Sequence, residues 1–103
     1  MVWYHFVAYF FAGMFLVNGI PHYVLGVAGR VFPTPFASPP GVGRSGSLVN
    51  VFWGLANFVI AYLLLQVGTF TGEIGPQMSV FFVGVLIMSV MAAKRFSGVY
   101  ANT

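Results

Sequence analysis

The chain has no cysteine and a single acidic residue, Glu73, among 103 positions. Lacking cysteine, it has no disulfide, no thiolate nucleophile and no thiolate-held zinc or iron–sulfur cluster. One acid rules out any mechanism that needs a carboxylate pair. Charge of either sign is scarce: Arg30, Arg44, Glu73, Lys94 and Arg95 make up 5% of the residues. A soluble domain keeps roughly a quarter of its residues charged, so this chain cannot dress a water-facing surface. Histidine is equally sparse. His5 and His22 are the only two, and the helical rise between them sets them roughly 25 Å apart. They cannot share an ion or a haem within one chain, and neither metal nor cofactor is expected. Ser38, Ser45 and Ser47 lack a nucleophile-elbow pattern, so the reading leans away from an enzyme.

Hydrophobic residues are abundant, at 59%, and the charges bound three long uncharged stretches, 1–29, 45–72 and 74–93. Each reaches the roughly 18–20 apolar residues that cross a hydrocarbon core of about 30 Å. The expected fold is an all-α membrane protein, one domain over 1–103, with three transmembrane helices. The spans are predicted at about 2–26, 48–68 and 76–95. A long, ordered Pro/Gly-rich loop, 27–47, joins the first two, since four prolines and four glycines there oppose regular structure. Pro21 predicts a kink in the first span, because it removes the amide that would bond the Val17 carbonyl. In lipid that carbonyl needs another donor, from Asn18 or a neighbouring helix. Ser47 is the predicted N-cap of the second span, and Pro76 suits the first turn of the third. A cleaved signal peptide would need basic residues ahead of the first apolar run, and none precedes Arg30.

Four basic residues in two places form no nucleic-acid stripe. They sort instead by side of the membrane. Arg30 and Arg44 fall in the first loop, and Lys94 and Arg95 follow the third span, which predicts an outside N-terminus and a cytoplasmic C-terminus.

Two helical stripes carry further information. His5, Ala8, Ala12, Phe15, Gly19 and His22 follow 3-4 spacing on the first span. Asn50, Gly54, Asn57, Ala61, Leu64 and Gly68 do the same on the second. Small residues at Ala8, Ala12, Gly19, Gly54, Ala61 and Gly68 let backbones approach, either within one chain or between copies. The polar members Asn18, His22, Asn50 and Asn57 cluster by depth near the cytoplasmic face, with Arg30 or Arg44 able to fold over them. They form either a site for a head group, small polar ligand or anion, or a network that fixes the loop and the broken backbone. Trp3, Tyr4, Tyr9 and Tyr100 are expected to anchor at the membrane interface.

The runs N-G-I-P-H, F-P-T-P-F-A-S-P-P-G-V-G and S-L-V-N-V-x-W-G lie between Asn18 and Gly54. They resemble the central block of a family of small bacterial integral membrane proteins. The resemblance covers about a third of the chain, and implies a bacterial inner membrane and a role for the central segment. It implies no activity. Three functional expectations follow from the residues. The first is a non-enzymatic subunit, homo-oligomeric or part of a larger membrane complex, with the lipid bilayer as its other partner. The second is an oligomeric channel or transporter lined by the polar cluster. The third is a lipid-binding protein or membrane enzyme that uses the loop with His22 and Arg44.

Overall fold

A computed structural model describes residues 2–100; of the single domain expected over 1–103, Met1 and 101–103 lie outside the described residues. Three helices, α1 (Trp3–Val27), α2 (Ser47–Leu65) and α3 (Pro76–Phe96), are each long and apolar enough to cross a membrane. This is the architecture of a multi-pass membrane protein. Helix α1 is the axis of the molecule: α2 and α3 both pack along it and hardly touch each other. The outer surfaces are apolar, with Phe52, Leu63, Phe82 and Leu86 all more than half exposed. Such a surface is unfavourable in water and suits hydrocarbon.

The contacts between helices are made where side chains are smallest. A Cβ on Gly19 would come within 2.9 Å of the Gly54 carbonyl, and one on Gly54 within 2.7 Å of the Tyr23 amide. Ala8, Ala12 and Ala61 are buried. Gly68 lies against Tyr9 and His5. The glycines of the two stripes thus pack between α1 and the α2 region, and the alanines are buried within the chain. A second close approach joins α1 to α3: a Cβ on Gly84 would sit 2.0 Å from the Phe10 carbonyl, and one on Gly13 2.2 Å from that of Phe81. In lipid, where apolar burial gives little drive for association, this backbone proximity supplies the van der Waals contact that holds helices together.

Several local expectations are corrected. Asn18, one expected donor for the Val17 carbonyl in α1 (Trp3–Val27), gives its amide to Asn57 instead. The end of α1 is a Schellman motif: Gly29 N–H bonds Gly26 O at 3.0 Å and Arg30 N–H bonds Leu25 O at 2.9 Å. Gly29, at φ 78°, supplies the left-handed residue that this motif requires. Ser47 is the first helical residue of α2 and Gly46 its N-cap. Helix α2 stops at Leu65 instead of Gly68, because the Gln66 amide is shared between Tyr62 O and Leu63 O and Val67 N–H tightens onto Leu64 O.

The connection between α1 and α2 is not the long loop that its prolines and glycines suggest. A two-stranded antiparallel ladder, β1 (Phe32–Pro33) with β2 (Arg44–Ser45), divides it and leaves a short irregular loop at the tip. Hydrogen bonding accounts for the order. Thr34 O accepts from Gly41 N–H at 2.8 Å and Ala37 N–H at 3.2 Å, while the Thr34 hydroxyl pairs with Ser45 Oγ at 2.6 Å and accepts from Phe36 N–H. At the other end of the bundle Gln77 closes the α2–α3 turn, donating to Thr69 O and accepting from Thr71 N–H. Phe70 of that turn sits between Tyr9 of α1 and Phe81 of α3. Tyr9 is fully buried there, so it does not serve as the interfacial anchor expected of it.

Candidate functional site

On α1, Phe11, Phe15, Asn18 and His22 follow 4-3-4 spacing and share one face. Packing sets what they meet: α2 brings Asn50, Trp53 and Asn57 to their polar end. His22 Nδ1 lies 2.8 Å from Asn50 Oδ1, and Asn18 Nδ2 donates to Asn57 Oδ1 at 3.0 Å. The structure therefore joins four residues that the sequence grouped only by depth. His22, Asn50 and Asn57 are buried, the two asparagines at 0% exposure.

The partners fix the chemistry of each side chain. Asn50 Nδ2 faces the carbonyls of Phe32, Ser45 and Gly46 at 3.0–3.1 Å, and carbonyls only accept. The atom turned toward the imidazole is therefore the amide oxygen, and His22 Nδ1 must carry the proton. In neutral imidazole that leaves Nε2 as an acceptor. Asn57 Nδ2 donates back to Trp53 O at 2.8 Å in its own helix, so its oxygen accepts from Asn18. Among the described residues neither His22 Nε2 nor Asn18 Oδ1 has a protein partner, and neither is sealed off, since the one buried unpaired side-chain atom is Tyr9 Oη.

Both residues line a cavity of about 150 Å³, walled also by Thr34, Trp53, Arg95 and Phe96. Asn18 is at the same time a wall of an apolar groove of about 260 Å³, formed with Phe11, Met14, Phe15 and Met88. Aromatic rings frame the imidazole: the Phe32, Phe96 and Trp53 centroids lie 5.2, 6.4 and 6.5 Å from it. The site is thus a polar chamber walled by His22 and Asn18, with an apolar groove adjoining it at Asn18.

Arginine placement differs from the sequence expectation. The guanidinium at this cavity is that of Arg95, which donates to Gly41 O. Arg30 and Arg44 lie instead on the Tyr100 ring, 4.2 and 5.3 Å from its centroid, and Arg44 donates to Val99 O. Tyr100 in turn donates to Val31 O. Sequence reasoning missed Arg95, Thr34, Met88 and Phe96 as site residues. Only the unpaired charge of Arg95 near a helix end hinted at one of them. These contacts do bring all four basic residues to the end of the bundle opposite the α2–α3 turn that carries Glu73.

The chain matches no known family model, no curated protein and no solved structure.

Proposed function

We propose that this chain is a non-enzymatic protein of a bacterial inner membrane that holds the polar group of a membrane-dissolved ligand at His22 and Asn18. One observation carries the reading: His22 and Asn18, whose Nε2 and Oδ1 acceptors have no protein partner among the described residues, line one cavity, and Asn18 also lines an apolar groove. An unmet polar group within a membrane costs up to several kcal/mol, which favours an occupant that brings a donor. The groove beyond Asn18 suits the apolar remainder of the same molecule. Clustering of the basic residues at one end supports an outside N-terminus and a cytoplasmic C-terminus. The inner-membrane assignment rests on the resemblance of the 18–54 block.

The channel reading has less support, because Asn50 and Asn57 are fully buried between α1 and α2 and spend their amides on protein groups. The small-residue stripes likewise lend nothing to a homo-oligomer, since their glycines are occupied within the chain. A second reading keeps one favourable observation. Helices α2 and α3 scarcely meet, so the gap over α1 would also admit a helix of a larger membrane complex.

Native mass spectrometry of protein extracted from its own membranes in mild detergent separates the two. Wild type carrying a small-molecule adduct that His22→Gln or Asn18→Leu loses supports the ligand reading. Wild type free of small adducts and bound to another polypeptide supports the subunit reading and overturns the first.

A further inference from the structure

Beside the His22 chamber lies a cavity of about 330 Å³ lined by Pro33, Val42, Arg44, Arg95, Gly98 and Val99. It shares Pro33 and Arg95 with the chamber, and the chamber shares Asn18 with the apolar groove. Three compartments therefore adjoin: a cavity with two guanidiniums at the basic end, the polar chamber with Arg95 in its wall, and the apolar groove beyond Asn18. Each guanidinium has one N–H donating to a carbonyl, Arg44 to Val99 O and Arg95 to Gly41 O. A guanidinium has five N–H groups, so each keeps several donors for a further acceptor. The chain's only acidic side chain is Glu73, in the α2–α3 turn at the other end, and it cannot neutralise them.

We infer that the ligand of this site is an anionic phospholipid with a hydroxylated head group, its phosphate held between Arg44 and Arg95, its head-group hydroxyl at His22 and Asn18, and one acyl chain in the groove of Phe11, Met14, Phe15 and Met88. This names the ligand class of the proposed function and rests on that reading. The charge argument selects the phosphate: planar guanidiniums with spare donors bind phosphate oxygens in pairs. The tethers to Gly41 O and Val99 O hold both forks in place before the ligand arrives, which lowers the ordering cost of binding. Ester oxygens only accept and cannot complement His22 Nε2, which accepts too; a head-group hydroxyl, as on phosphatidylglycerol, supplies the donor. A free phosphate would use only the first compartment.

The test uses the full chain in a neutral detergent, with native mass spectrometry reading the bound fraction of phosphatidylglycerol, phosphatidylcholine, diacylglycerol and inorganic phosphate. Phosphatidylglycerol should bind roughly tenfold or more above diacylglycerol, which lacks the phosphate, the scale of two basic contacts. The double change Arg44→Gln with Arg95→Gln should abolish that preference. Both arginine side chains are exposed, so this variant is expected to keep the wild-type melting temperature. Met14→Trp, which fills the groove, should lower binding of every lipid and leave phosphate alone unaffected. Equal binding of phosphatidylglycerol, phosphatidylcholine and diacylglycerol would overturn the inference, as would inorganic phosphate that displaces phosphatidylglycerol fully. In either case, loss of lipid binding in His22→Gln keeps the chamber as a ligand site. If His22→Gln changes nothing, the parent reading falls as well.

Discussion

Asn50 Oδ1 accepts the Nδ1 proton of His22 at 2.8 Å while its amide nitrogen faces three backbone carbonyls of the α1–α2 connection. One side chain therefore sets the imidazole tautomer and holds β1, β2 and the start of α2 together. Removing it strips a donor from the Phe32 and Ser45 carbonyls, which costs about 1–3 kcal/mol for each group left unmet, while Gly46 O keeps the Asn50 backbone amide. Asn50→Ala should lower the unfolding midpoint and speed proteolysis within 34–43. Unchanged cleavage there would show that the connection does not depend on Asn50.

Asn18 and Asn57 form a separate tie between α1 and α2. Interhelical polar pairs in membranes couple by about 0.6 kcal/mol on average and up to about 1.7. A double-mutant cycle of Asn18→Leu and Asn57→Leu should return a coupling of that size. Additive effects would mean that the bond is not made in the folded protein.

Glycine substitutions should separate contact from composition. Gly84→Ala and Gly13→Ala press a methyl group into the backbone of the facing helix. They should destabilise by about 1–3 kcal/mol each, the usual range for overpacking. Gly98→Ala meets open space and should stay near wild type. Equal melting temperatures for Gly84→Ala and Gly98→Ala would contradict the α1–α3 packing.

The stripe of Gly54, Ala61 and Gly68 gives a distinct outcome in cross-linking. These positions face α1 within the chain, or Tyr9 and His5 in the case of Gly68. Single cysteines at 54 and 61 should therefore give no intermolecular disulfide in native membranes. Efficient dimer formation at either one would place this face between copies.

Much of the architecture was legible in the sequence because charge gaps mark spans directly: Arg30 and Glu73 fall just outside a helix, and Lys94 in the last turn of one. The grouping of Asn18, His22, Asn50 and Asn57 was also readable, since helical rise fixes the relative depth of residues on neighbouring spans. Which helix lies in the middle was not. A stripe on α2 names a packing face without naming its partner, and the Gly13–Gly84 approach joins positions whose spacing carries no signal. A glycine inside a helix costs about 1 kcal/mol relative to alanine, and that cost was the available hint. Arg95 escaped notice because reaching the chamber depends on α3 and the hairpin tip meeting 54 residues apart. Tyr9 was misplaced for a related reason: an aromatic near a helix start resembles an anchor until Phe70 and Gly68 of the α2–α3 turn close over it.

The central claim is that His22 presents Nε2 to a ligand inside the membrane domain. Nitrogen NMR of protein labelled with ¹⁵N-histidine, before and after stripping bound lipid, tests it most directly. His5 at the other end of α1 serves as the internal reference. The account predicts a protonated Nδ1 in both states and an Nε2 resonance that moves when lipid is removed, while His5 stays put. A proton on Nε2 with a bare Nδ1, or a His22 spectrum indifferent to lipid, would contradict it.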